Sequence, residues 1–443
     1  MDMRKELSRL QGIVADLLDE AQRQGASAAE AGLSVDRGLS VTARLGEVET
    51  VEHHKSQGLG VTVYFGQRKG SASSTDFAPE AMRDTVRAAC RIARYAAEDE
   101  YAGLPVPEYL ATEFPDLDLY HPWPIDADKA VDAVIACENA ARGFHADIVN
   151  SEGATLNTHE GIRILGNSLG FLHGYPASYH SVNCSVVGQR GDSMQRDDWY
   201  TVARDASDLE APEAVGRKAA ERTVRRLGAR SLSTRKCPVL FAPEVAAGLL
   251  GHFIGAIRGG NLYRKSSFLL DSLGQAVFPT FVHIREEPHL PRALGSAPYD
   301  SEGVATRSHP LVQGGVVESY VLSSYSARKL GLKTTGNAGG VHNLVIEPGP
   351  LGLEGLLREM DCGLLITELM GQGVNAVTGD YSRGAAGFWV ENGEIRYPVE
   401  EITIAGNLRD MYRTIRAVGN DVDLRGNTRT GSILLDNMTV AGN

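Results

Sequence analysis

Apolar residues recur at helical spacing from the start of the chain. Leu7, Leu10, Ile13, Leu17, Leu18 and Ala21 form one stripe and Gly25 follows it, so the spacing predicts an opening helix. From about Glu30 to Ser74 the period changes. Runs such as Gly46-Glu47-Val48-Glu49-Thr50-Val51 and Gly60-Val61-Thr62-Val63-Tyr64-Phe65 have the β-branched, part-alternating character of strands. A second stripe, Met82, Val86, Ala89, Ile92 and Ala93, predicts a helix over about 79–97. Helix, strands and helix together read as an α+β layer domain over residues 1–104.

Pro105, Pro107, Pro115, Pro122 and Pro124 then crowd one segment. Proline fixes φ and lacks a backbone donor, so 105–126 reads as an extended boundary. A middle α+β region follows over 127–230. It opens with a helix from Ala127 to Arg142, continues in short strands through about Ala203, and ends in a helix from Pro212 to Leu227. The remainder, 237–443, is rich in glycine, strands and turns. Asn392-Gly393 between two strand-like runs predicts a tight hairpin, because both central residues of that turn need positive φ. The fold class expected is α+β, with a strand-rich C-terminal domain that is sandwich- or barrel-like.

Composition narrows the function classes. The 443 residues carry 44 basic and 56 acidic side chains, a net charge of −12, so a non-specific nucleic-acid or anionic-membrane binder is disfavoured. The basic stretch Arg217–Lys236 reads as a solvated helix face beside a boundary. No apolar run is long enough to span a bilayer. The start of the chain lacks an apolar signal segment, and five scattered cysteines form neither CxxC pairs nor a disulfide framework. Both features predict a cytoplasmic protein.

Candidate chemistry is sparse. Gly166-Asn167-Ser168-Leu169-Gly170 matches the nucleophile-elbow pattern, but Gly174 and Pro176 follow where a helix should start, so a turn between strands is expected. Gly371-Gln372-Gly373 follows an apolar run, yet loop-like residues come after it instead of a phosphate-binding helix. Zinc hydrolysis needs two His about one helical turn apart and a Glu. The apolar helix predicted from Glu244 to Ile257 holds one histidine, His252, with Ala256 four residues on. Elsewhere, Glu286, Glu287 and Pro288 separate His283 from His289, and His53-His54 adjoin on a strand. Two polar, glycine-bearing regions remain: Ser323–Lys329 leading into Gly336–His342, and Thr378–Arg383. They read either as ligand-facing surfaces or as ordinary loops.

Gly248–Ile257, Gly260–Ser266, Ser326–Lys333 and the run Gly379–Leu408 resemble the TldD/PmbA family, in its PmbA (TldE) branch. The likeness is dense in the C-terminal half and looser before it. It implies a cytoplasmic metalloprotease in which a TldD-type catalytic subunit pairs with a TldE-type subunit and cleaves unfolded peptides. The catalytic branch carries His-Glu-x-x-Gly-His on the helix in question. Aligned on Gly255, this chain has Gly251, His252 and Ala256 where that motif has its first His, Glu and second His. A shift by one keeps His252 as a ligand but puts Phe253 and Ile257 at the other two places.

The resemblance therefore implies a subunit with no cofactor of its own, zinc being held by the TldD-type partner. Tyr325, Arg328, Asp380, Tyr381 and Arg383 are the candidate substrate- or partner-facing groups. Expected partners are the TldD-type subunit, extended peptides and, in isolation, a second copy. Two rivals stand beside this reading: a self-sufficient metallohydrolase using His252, and a non-proteolytic regulator of DNA gyrase.

Overall fold

A computed structural model of the chain describes residues 3–442. The first half contains α1 (Met3–Arg23), β1 (Ala28–Arg44), β2 (Glu47–Phe65), β3 (Arg68–Ser74), α2 (Pro79–Tyr95), α3 (Ala127–Arg142), β4 (Ile148–Asn167), β5 (Leu172–Arg190), β6 (Ser193–Ala203) and α4 (Pro212–Arg225). All six strands join one antiparallel sheet in the order β3-β2-β1-β4-β5-β6. The proline-rich boundary thus falls between two halves of a single sheet. The join is the β1–β4 ladder, which runs from Glu30↔Asn167 to Ala43↔Ala154.

Alternation along β1 sets what each face of the sheet meets. Ala29, Ala31 and Leu33 pack with Leu10, Val14 and Leu17 of α1 and Val86 of α2. Further along the same face, Leu39, Val41 and Ala43 pack with Val134 and Cys137 of α3 and Val215 and Ala219 of α4. All four helices therefore cover one face. The other face carries small and polar residues, including Gly32, Ser34 and Asp36, and lines a cavity against the C-terminal domain.

The β1–β2 turn is fastened by a buried charge. Leu45 and Gly46 both take positive φ, 56° and 84°. Their N–H groups donate to the two carboxylate oxygens of Glu138 on α3, at 2.7 Å each. Glu138 is fully buried, so this pair of bonds locks the hairpin tip to the helix layer.

The C-terminal half opens with β7 (Arg235–Phe241) and α5 (Pro243–Ala256). β7 pairs in parallel with the strand Gly363–Met370, which continues antiparallel to Asp380–Glu391 and then Glu394–Asn407. The final strand, Ile433–Ala441, pairs with both β7 and Glu394–Asn407, which closes the barrel. A smaller five-stranded sheet holds Ile284–Glu286 at its centre. The barrel form, one of the two expected for this domain, removes the open edges that a sandwich keeps. Asn392 and Gly393 take φ of 55° and 71° at the predicted hairpin.

Residues 105–126 lie as an extended strap between the halves. Ala111 N–H donates to Gly303, Arg292 N–H to Leu117, and Ser178 N–H to Leu119. Ser324–Leu330 differs from the loop alternative: it is a short helix. A capping box between Ser323 and Ser326 starts it, and Gly331 at φ 68° ends it. From this helix the Arg328 guanidinium donates to the carbonyls of Tyr101 (2.9 Å), Gly103 (3.1 Å) and Leu104. Tyr325 O–H donates to Asp99 at 2.7 Å. The helix thereby clamps the segment that leaves α2.

Two stability effects follow. Glu138→Ala removes both acceptors of the hairpin tip and opens a hole in the helix layer, and should cost about 2–4 kcal/mol by urea denaturation. Arg328→Met, which keeps much of the packing but loses the fork of donors, should cost about 2 kcal/mol, and Arg328→Lys should recover little of it. An unchanged denaturation midpoint in either variant contradicts the role given to that side chain.

Candidate functional site

Helix α5 starts at Pro243, whose missing N–H costs nothing in the first turn. Ala246, Leu249, Leu250 and Phe253 bury one side of it in the largest core cluster. The Tyr412 hydroxyl donates to the Leu249 carbonyl at 2.9 Å and fixes the helix from below. Gly248, Gly251 and Gly255 fall on the opposite side, and a Cβ added at any of them meets nothing within 4 Å. The helix thus turns an open, side-chain-free stripe away from the core.

His252 sits beside that stripe, half-buried. Its ring meets Tyr381 edge-on, with centroids 6.0 Å apart. Burial, reinforced by the positive charge of Arg383, lowers its pKa below the usual value, so the imidazole is neutral near pH 7. Tyr381 is buried and its pKa is pushed up to about 12 by that burial. Arg383 donates to the Met370 carbonyl at 3.1 Å. Asp380, fully exposed, accepts from Thr378 Oγ1 at 2.6 Å and Asn407 Nδ2 at 3.2 Å, and these bonds hold its carboxyl below the ordinary range.

The structure therefore gathers His252, Tyr381 and Arg383 at one end of α5, with Asp380 on the adjoining rim. It places Tyr325 and Arg328 elsewhere, on the clamp described above. The hydrogen bond to Asp99 pushes the Tyr325 hydroxyl up to about 12, so it remains a donor across the physiological range.

A zinc ion fits poorly at α5. One neutral imidazole is available, flanked by a guanidinium; the carboxylate of the same helix, Glu244, lies eight residues away in the first turn and pairs with Arg222 at 2.9 Å. Among the described residues, no three His, Cys, Asp or Glu side chains form a set able to hold a metal ion. No helix among them is long and apolar enough to cross a membrane.

A second constellation escaped the search along the sequence. Glu286 is 1% exposed and meets His342, 56 residues further on. The carboxylate accepts from His342 Nδ1 at 2.6 Å, from the His342 backbone N–H at 2.8 Å, and from Asn337 Nδ2 at 2.7 and 2.8 Å. Burial opposes ionisation of Glu286, but the bonds from His342 and Asn337 outweigh it and lower its pKa. Nearby, burial pushes the Asp300 carboxyl up to about 6, although it accepts the N–H groups of Ala338, Glu302 and Val304. The glycine-rich run Gly336–His342 was the visible signal; its carboxylate partner comes from a distant strand.

Comparison with known proteins agrees along the chain. Family models described as PmbA/TldA metallopeptidase domain 1, central domain and C-terminal domain match residues 29–93, 120–227 and 234–442. The Metalloprotease PmbA of Escherichia coli O157:H7 is 53% identical over 94% of this chain and 92% of its own length. A crystal structure from Bacteroides thetaiotaomicron, described as a candidate modulator of DNA gyrase, superposes with a TM-score of 0.93 at 28% identity over 100% of both chains. TldE from Thermococcus kodakarensis shares the fold with a TM-score of 0.85 at 21% identity, covering 97% of this chain and 100% of its own. The chain belongs to the PmbA/TldD metallopeptidase family, in its PmbA branch.

Proposed function

We propose that this chain is the TldE-type subunit of a cytoplasmic two-subunit zinc metallopeptidase that acts on unfolded peptides. The zinc and the catalytic Glu come from a TldD-type partner. The observation that carries this reading is the donor set of α5. In a metallopeptidase family, the helix that would hold the metal presents Gly251, His252 and Ala256, with open space over Gly248, Gly251 and Gly255. Ligating zinc needs three convergent donors and an activated water, and His252 beside Arg383 offers one. The bare stripe instead suits close approach of another backbone, from the partner or from an extended peptide.

His252, Tyr381 and Arg383 border that stripe and would face the chamber closed by the partner. Neutral His252, backed by the buried ring of Tyr381, would bond peptide groups there, and Arg383 would supply a positive charge. Tyr325 and Arg328 would act indirectly, by holding the two halves of the chain in register.

Peptide cleavage should be measured for this chain alone, for a TldD-type subunit alone, and for the mixture. The expected result is no turnover by this chain alone and full turnover only in the mixture. Zinc-dependent cleavage by this chain alone, abolished in His252→Ala, contradicts the proposal and favours a self-sufficient enzyme.

A further inference from the structure

A cavity of about 1220 Å³ lies between the helix-free face of the six-stranded sheet and the C-terminal loops around Asp300 and His342. It exceeds the roughly 300–1,000 Å³ typical of small-molecule sites. Its floor includes Gly58 and Gly60 of β2, and a Cβ added at either meets nothing within 4 Å. The alternate positions Leu59, Val61 and Val63 of the same strand pack into the helix layer. Glycine is unfavourable inside a strand, so its use on this face leaves room where side chains would otherwise stand.

The opposite wall is built for polar contact. Glu286, buried and unpaired with any Lys or Arg among the described residues, fixes the ring of His342 through Nδ1. That bond makes Nδ1 the protonated nitrogen and leaves Nε2 as an acceptor. His342 lines the cavity, and its Nε2 has no hydrogen-bond partner among the described residues. Two residues before it on the same loop, Gly340 sits at φ 127°. The N–H groups of Gly339 and Val341 likewise have no partner among the described residues. Charge in the cavity is close to balanced: Arg163 and Arg204 line it with Asp36 and Asp300, and Asp36 meets His159 at 3.1 Å.

We infer that this cleft binds an extended peptide segment, with Val341 and Gly339 donating to its carbonyls and the Glu286-held His342 accepting one of its N–H groups. Two backbone donors and a ring acceptor along one wall can meet the carbonyl and N–H groups of a strand-like backbone. The glycine floor then admits side chains of any size, so recognition rests on the backbone. The choice of peptide as ligand rests on the peptidase reading above; the cleft itself rests on its geometry.

The probe is a fluorescein-labelled, unstructured ten-residue peptide of Ala, Ser, Gly and Leu, titrated into the full-length chain by fluorescence anisotropy. Gly60→Val sets a branched side chain on the floor where an added Cβ meets nothing within 4 Å, and it suits a strand. His342→Asn keeps a donor toward Glu286 but removes Nε2. Each variant should weaken binding about tenfold or more while its melting temperature stays within the parent range. The parent failing to bind the probe, or both variants binding it as tightly as the parent, overturns the cleft. Loss of binding in the variants supports the cleft even where the mixture with a TldD-type subunit cleaves nothing, an outcome that would sink only the peptidase reading.

Discussion

The β1–β4 ladder is the contact on which the remaining architecture depends. It spans residues more than a hundred positions apart and makes one sheet of two segments divided by a proline-rich strap. Closing so long a loop is costly in chain entropy, and the ladder offsets it by bringing four helices onto a common face. With that face covered, the opposite one need not be apolar. It is there that Gly32, Ser34, Gly58 and Gly60 are found, and there that a cavity of about 1220 Å³ opens. The strap and the Arg328 clamp then hold the barrel domain across this space, so the cavity is a product of the whole chain.

Within the barrel, one helix has two unlike sides. Its apolar side is fixed by Leu249, Leu250, Phe253 and the Tyr412 hydroxyl, which makes α5 a rigid platform. Its other side carries Gly248, Gly251 and Gly255, with open space over each. On the proposed reading, such a rigid helix with a bare surface would shape a chamber whose reacting groups come from across an interface. The neutral imidazole of His252 and the cation of Arg383 fit that role better than they fit metal ligation.

Much of the fold was legible in the sequence because it rests on local rules. Residue periodicity placed α3 at Ala127–Arg142, and Asn392-Gly393 announced its hairpin. The Gly166–Gly170 segment was correctly read as a turn between strands, since Gly174 and Pro176 deny a helix there. The helix Ser324–Leu330 was obscured because it is short and serine-rich, and depends on a capping box more than on propensity. Barrel closure by Ile433–Ala441 and the joining of β1 to β4 are tertiary pairings that no local pattern announces. Among the candidate residues, His252, Tyr381 and Arg383 come together. Tyr325 and Arg328 turn instead to Asp99 and the backbone beside it, contacts that span more than two hundred residues. Glu286 and His342 went unpaired in the sequence for the same reason.

On the proposed reading, helix α5 has no metal chemistry of its own. The most direct measurement is the zinc content of the purified full-length chain after equilibration with excess zinc and removal of free ion, with His252→Ala beside it. The expected result is substoichiometric zinc, the same in both proteins. One tightly held zinc per chain, lost in His252→Ala, would contradict it.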